Sequence, residues 1–292
     1  MRAVVNMVVL RGTALLPYVL LSAILVLLVL VVWLPQGDVS DCGPAHFPCV
    51  MTYRKRPPLV INEGLEFISP LIQECPGQSF QVWRLLHFLM SSVSVSDDVL
   101  LEPYLQSWDQ LIIFMESLGP VVSFFSQKVS DKVALIRQLA RQHQERGLEG
   151  EAYRSVSAMV EAELKEGVVH FSHRTDSGCR TLLRLHRSLL WLAMTLDGLT
   201  HTPDAHGHLK TPGELSREAY QVALAPHHSW VLRQAAELVF LALPDRNHFL
   251  RLVCVQSQRE AEPVLRVVIN ALQVVHVRIQ LILEQNGMLE LP

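Results

Sequence analysis

The sequence has no surplus of basic charge, no low-complexity stretch and no internal repeat. Lysine plus arginine number 25 against 28 aspartate plus glutamate, for a net charge of −3. Nucleic-acid binders usually carry a basic excess, so that class is set aside. With 14 glycines and 16 prolines, usage is ordinary for a globular chain, which excludes glycine- or proline-driven disorder. There is no Asn-x-Ser/Thr acceptor. The five cysteines contain no C-x2-C pair and the histidines no H-E-x-x-H, so a zinc site has no support. No stretch alternates apolar and polar residues cleanly enough to argue for a sheet. What remains is a chain of 292 residues, half hydrophobic and only 18% charged, long enough to bury a substantial core.

Charge is also missing from Thr13 to Leu34, 22 residues dominated by leucine and valine. As a helix this run would be roughly 33 Å long, enough for a bilayer core. Arg2 and Arg11 precede it, Asp38 and Asp41 follow it, and the next basic residue is Arg54. The positive-inside rule then keeps the N-terminus cytosolic and sends the rest to the lumenal or outer side. Residues 1–36 read as a signal-anchor or a signal peptide. A cleaved leader has an apolar core of about 7–15 residues and a small-x-small site. This core is longer, and Trp33-Leu34-Pro35-Gln36-Gly37 offers no convincing site, which favours an uncleaved anchor. On the outer side Cys42 and Cys49 could close a short disulfide loop. Cys75, Cys179 and Cys254 are scattered and leave an odd number.

Residues 37–77 read as a linker, with six prolines from Pro44 to Pro76 and the basic cluster Arg54-Lys55-Arg56. The domain proper spans 78–292, and from Phe80 the pattern is helical throughout. Val129, Val133, Ile136 and Ala140 recur at i, i+4, i+7, i+11, and Leu182, Leu185, Leu189, Leu192 and Leu196 form a second stripe. Trp230–Leu243 is apolar nearly all round and is expected to be buried on several sides. Pro263 reads as a first-turn residue, and Asn286-Gly287 as a C-terminal cap. The class is therefore all-α, with about eight helices. The apolar faces exceed a narrow core stripe. Either a thick core or an expandable cavity between helix layers accounts for this.

The basic residues concentrate locally. Arg180, Arg184 and Arg187 stand at i, i+4, i+7 on the helix bearing the leucine stripe, and Lys128 and Lys132 pair on the preceding one. A solvated face is the plain reading of such a run. Against it, apolar residues surround the arginines, and Asp176 is the only acid in the turn before Arg180. A charge beside apolar surface needs an anionic partner. Two guanidinium forks and a lysine match a phosphate in geometry and charge.

At these residues the chain resembles the glycolipid transfer protein family. Ser177-Gly178-Cys179-Arg180-Thr181-Leu182-Leu183-Arg184-Leu185-His186-Arg187 is similar to the phosphate-binding helix of the family's ceramide 1-phosphate carriers. Leu100-Leu101-Glu102-Pro103-Tyr104 through Ser117-Leu118-Gly119, then Tyr153-Arg154-Ser155, His228-Ser229-Trp230-Val231 and Leu289-Glu290-Leu291-Pro292 resemble it in register. The resemblance implies a two-layer all-α sandwich that opens an apolar pocket for ceramide chains, with the headgroup held at the surface. It implies a phosphate on Arg180, Arg184 and Lys132, an amide carbonyl on His228, and Trp230 facing a membrane. Family members that bind sugars carry tryptophan where Arg184 stands, so phosphate is expected here.

One departure matters. The family's aspartate for the sphingoid amide and hydroxyl falls on Lys128, which can only donate. Asp131 is the possible substitute, and a phosphatidic acid-like lipid becomes a credible cargo. The expected activity is binding and intermembrane transfer of a phosphate-headgroup sphingolipid, foremost ceramide 1-phosphate. A membrane-tethered lipid sensor is the alternative. The expected partners are that lipid and membranes, with no nucleic acid, cofactor or metal, and the state is a monomer. No enzyme is expected: His227-His228 has no nucleophile placed beside it, and His201, Asp204, His206 and His208 read as a solvated loop rather than a metal site. His186 and His276 read as helix residues with satisfied neighbours. The compartment is membrane-anchored or secreted on the lumenal side, with the cytosol, where the family's close relatives work, as the alternative.

Overall fold

The computed structural model describes residues 72, 74–146, 151–203 and 207–292. The apolar run, Cys42, Cys49, Asp204 and His206 lie outside the described residues. The described residues fall into two compact units, 72–227 with 237–292 in the larger and 228–236 in the smaller.

The described residues form nine α-helices. These are α1 (Val82–Ser92), α2 (Leu101–Glu116), α3 (Pro120–Glu145), α4 (Val156–Lys165), α5 (Gly178–Leu199), α6 (Pro212–Ala223), α7 (Trp230–Ala242), α8 (Arg246–Leu252) and α9 (Gln258–Gln285). A 3-10 turn, Ala225–His227, follows α6. Among the described residues there is no strand, only the isolated bridges Val93–Val99 and Leu100–Ser155. The seven-residue α8 is two turns long, too short for a 3.6-residue period to reveal it.

Local chemistry sets the helix ends. Ser155, Ser177 and Ser257 cap α4, α5 and α9 by accepting the N–H of Ala158, Arg180 and Glu260. At α6, Thr211 and Glu214 form a reciprocal capping box with Pro212 in the first turn. The expected stop of α9 holds: Asn286 is the C-cap and Gly287 takes φ +65°, where a side chain would be strained. The expected start does not. Ser257 nucleates α9 before Pro263, which lies inside the helix. Both Pro263 and Arg259 are exposed, so water can take up the carbonyl that the proline leaves without a donor.

In the larger unit α5 is the hub, packing on α3, α4, α6 and α9, while α1 joins α2 to α9 and α2 packs on α3. Its leucine stripe is buried as the spacing predicts. Helix α9 is long and apolar enough to cross a membrane, yet its stripe from Val264 to Leu283 is core. Where α2, α5, α8 and α9 meet, Phe114, Leu196, Phe249 and Leu265 help enclose a cavity of about 20 Å³, space for about one water. The expectation for Trp230–Leu243 fails. Only Val239 and Phe240 are buried in α7, while Leu241 is 75% exposed. An all-round apolar pattern does not say which face meets a partner.

Two long-range pairings were not legible in sequence. Cys75 and Cys254 form a disulfide, with their Cα atoms 5.6 Å apart, and Cys179 is free and buried. His186 and His276 stack between α5 and α9 with centroids 4.0 Å apart and planes at 15°. His186 Nε2 meets Gln280 Oε1 at 2.7 Å, but His186 Nδ1 and His276 Nε2 have no partner, correcting the expectation of satisfied neighbours.

Burial pushes His186 down to about 4, against the hydrogen bond to Gln280, and His276 down to about 3, with His186 adding to it. The folded pair stays neutral where the unfolded chain, with its ordinary histidine value of 6.5, takes up protons. Stability is therefore full above about pH 6.5 and is lost as pH falls towards about 4, by about 1.4 kcal/mol per pH unit for each histidine. His276→Phe keeps the stack and removes one of the two protons. Its urea midpoint should fall less steeply than that of the wild type between about pH 6.5 and 4.5; parallel pH profiles would show that the pair plays no part in acid unfolding.

Candidate functional site

Helix α5 presents Arg180, Arg184 and Arg187 along one face, since residues at i, i+4 and i+7 line up on a helix. Helix α3 brings Lys132 into their field. Arg180 donates through Nε to the Pro292 carbonyl at 2.5 Å and through Nη1 to Thr175 O at 3.3 Å. Arg184 donates only to Arg180 O, at 3.3 Å, and Lys132 Nζ to Lys128 O, at 2.9 Å. Arg187 donates to Leu289 O at 2.6 Å and stands 3.9 Å from Glu290. Among the described residues no Asp or Glu side chain lies within ion-pair distance of Arg180, Arg184 or Lys132.

The electrostatics follow. Burial, then the Arg184 charge, pushes Lys132 down to about 8. Burial, then Arg180, Arg174 and Arg187, pushes Arg184 down to about 10. Arg180 is lowered by burial and by Arg174. Guanidinium groups stay protonated in proteins, so the arginine shifts register a net positive field, which Asp176 offsets only in part, rather than lost charge. Half-buried like charges held together disfavour one another unless an anion joins them.

Of the other expected residues, Lys128 and Asp131 are both exposed and pair with each other at 3.6 Å, and Asp131 also accepts from Gln127 Nε2 at 3.2 Å. His228 and Trp230 belong to the smaller unit. There the His228 carbonyl accepts from Arg233 Nε at 2.9 Å, and Trp230 is 70% exposed. The described geometry thus joins Arg180, Arg184 and Lys132. It adds Arg174, whose charge acts on both arginines, and His227, lowered by burial and by Arg187. Arg174 precedes the helix, outside any period, which hides it from sequence reasoning. The terminal Leu289–Pro292 motif is visible in the sequence, but its carbonyl contacts with α5 are not.

Helices gathered around α5, with an arginine–lysine cluster that has no Asp or Glu ion pair among the described residues, define an all-α protein with a concentrated cationic face. Comparison with known proteins agrees. The family Glycolipid transfer protein (GLTP) matches residues 99–255. The human ceramide-1-phosphate transfer protein is 36% identical over 199 residues, covering 67% of this chain and 89% of that protein. Its Xenopus laevis counterpart is 37% identical over 211 residues, covering 71% and 94%. The crystal structure of the human protein in complex with 12:0 ceramide-1-phosphate superposes with a TM-score of 0.65 at 34% identity, covering 72% of this chain and 98% of that one. The chain belongs to the glycolipid transfer protein family, and the expected all-α two-layer sandwich of that family holds.

Proposed function

We propose that this chain is a carrier, not an enzyme, that binds one ceramide 1-phosphate-like lipid as a monomer and moves it between membranes. The observation that carries this is the cluster of Arg180, Arg184 and Lys132, whose hydrogen bonds among the described residues go to backbone oxygens and not to Asp or Glu side chains. Its charge and fork geometry suit a phosphate. In this reading His228 takes the amide carbonyl, Trp230 meets the bilayer, and the chains enter between the helix layers. The cavity of about 20 Å³ where α2, α5, α8 and α9 meet is too small to hold them.

The wild-type chain should transfer fluorescent ceramide 1-phosphate between vesicles and leave glucosylceramide behind. Transfer should decline as pH rises past about 8, where Lys132 loses the proton that pairs with the phosphate. Equal transfer of both lipids would defeat the proposal.

Phosphatidic acid is the second cargo, favoured by Lys128, which cannot accept the sphingoid amide and hydroxyl. Asp131, the possible substitute, is already engaged by Gln127 and Lys128. Lys128→Asp should raise preference for ceramide 1-phosphate over phosphatidic acid by about tenfold or more, one or two hydrogen bonds' worth. Asp131→Ala should leave the preference unchanged. Lost sphingolipid binding in Asp131→Ala would instead assign the amide to Asp131.

We further read residues 1–36 as a signal-anchor, 37–77 as its linker and 78–292 as the lipid-binding domain on the oxidising side of a membrane. The arginines before the run, the aspartates after it and the Cys75–Cys254 disulfide support this. Protease added to intact microsomes should spare the domain until detergent is added. Digestion without detergent would make the protein a cytosolic carrier.

A further inference from the structure

The first turn of α5, which carries Arg180, is held by a carboxylate from another helix. The first four N–H groups of any helix need partners from outside its regular ladder. The α5 ladder begins with Thr181 N–H on Ser177 O at 3.1 Å, and of the three helix N–H groups before it that of Arg180 goes to Ser177 Oγ at 3.2 Å. The remaining two go to Glu163 of α4: Gly178 N–H to Oε1 at 2.5 Å and Cys179 N–H to Oε2 at 2.9 Å. Tyr153 donates its hydroxyl to Oε1 at 2.8 Å. Glu163 is 2% exposed, and among the described residues no cation is paired with it, so the partial positive charge of the helix N-terminus and the tyrosine hydroxyl's hydrogen bond stabilise its carboxylate. Beyond burial, its charge pushes both the Tyr153 hydroxyl and the Cys179 thiol upwards. Gly178 makes the approach possible. A Cβ there would stand 2.8 Å from Glu163 Oε1 and 2.6 Å from Met159 Sδ.

We infer that Glu163 is a positioning residue for the phosphate site: by gripping the two backbone N–H groups before Arg180, it sets where that guanidinium stands. The arrangement has a second consequence. A helix N-terminus is itself an attractive anion site. With Glu163 already seated on its free N–H groups, a cargo phosphate is left to the side chains of Arg180, Arg184 and Lys132. Placement matters because charge-assisted bonds reward a narrow range of distance and angle. The inference rests on the phosphate reading above.

The test is a double-mutant cycle on the full chain, titrated with short-chain ceramide 1-phosphate. Arg180→Leu alone should weaken binding about tenfold or more, which checks the phosphate site itself. Glu163→Gln keeps the shape and one acceptor but loses the charge and the two-pronged grip. It should weaken binding about tenfold in the wild-type background and less than about twofold once Arg180 is leucine, because its effect runs through that side chain. The same tenfold loss in both backgrounds would mark Glu163 as a general stabiliser and overturn the inference. No loss in either would do so too. An Arg180→Leu variant that binds like the wild type would remove the phosphate site, and the inference with it. If Glu163→Gln does not fold, Gly178→Ala displaces the carboxylate without deleting it, and the same cycle applies.

Discussion

Arg184→Leu is expected to lower ceramide 1-phosphate transfer at least about tenfold while making the protein itself more stable. The two signs have one cause. Arg184 is half-buried, makes a weak hydrogen bond to Arg180 O, and stands in the field of Arg180, Arg174 and Arg187, offset in part by Asp176, with no acid ion-paired to it among the described residues. With a phosphate bound, a charge-assisted contact of about 1.5–3 kcal/mol is made, and leucine forfeits it. Without the phosphate, removing the like-charge crowding should raise the unfolding free energy by roughly 1 kcal/mol, as other charge optimisations do. Arg184→Glu should go further, to about a hundredfold or more, because a carboxylate also repels the headgroup. Vesicle transfer and urea unfolding of the same preparations read both effects. An Arg184→Leu protein that transfers at the wild-type rate, or that is markedly less stable, would mean that the arginine serves the core instead of a ligand.

Reduction of Cys75–Cys254 should give the largest loss of stability. The bond joins residues 179 apart, so it removes a large share of the unfolded chain's freedom, worth about 5 kcal/mol on the loop-entropy scale. Hydrogen bonds also hold the two ends of the bridge. Gln81 ties the Cys75 backbone through bonds of 2.8 and 2.7 Å, and Gln78 reaches Arg251 O at 2.8 Å. Cys75→Ser with Cys254→Ser should lower the unfolding free energy by about 3–5 kcal/mol and make dithiothreitol irrelevant to the thermal midpoint. A midpoint unmoved in the double variant and unmoved by dithiothreitol in the wild type would mean that the disulfide carries no stability. The free Cys179 should not interfere. It is buried, and burial first and Glu163 second hold its thiol in the unreactive protonated form.

Much of the fold can be read locally. The α5 leucines and the arginines on its other face follow from one 3.6-residue period, and Ser177 and Asn286-Gly287 mark helix ends by side-chain and backbone chemistry that acts over a few residues. Pro263 misleads for the same reason. A serine six residues earlier offered a cap, and a proline near a helix start does little harm to an exposed turn. The apolar run in α7 gave composition without direction. Its burial depends on what lies opposite, which no local pattern records.

The candidate site divides in the same way. Arg180, Arg184 and Lys132 were legible because their spacing and the shortage of nearby acids are properties of the chain itself, and the family resemblance assigned them a ligand. Arg174, the carbonyls of Leu289 and Pro292, and Glu163 were not, since each reaches α5 from a different segment.

By itself, then, the sequence determined the helical class, the arginine face and the family, all of which rest on periodicity and short-range order. Only the tertiary structure decided which cations have no Asp or Glu partner among the described residues, which histidines stack, which cysteines pair and which carboxylate caps the helix that bears the arginines. Those outcomes depend on distances between residues far apart in the chain, and on burial that multiplies the effect of each unpaired charge.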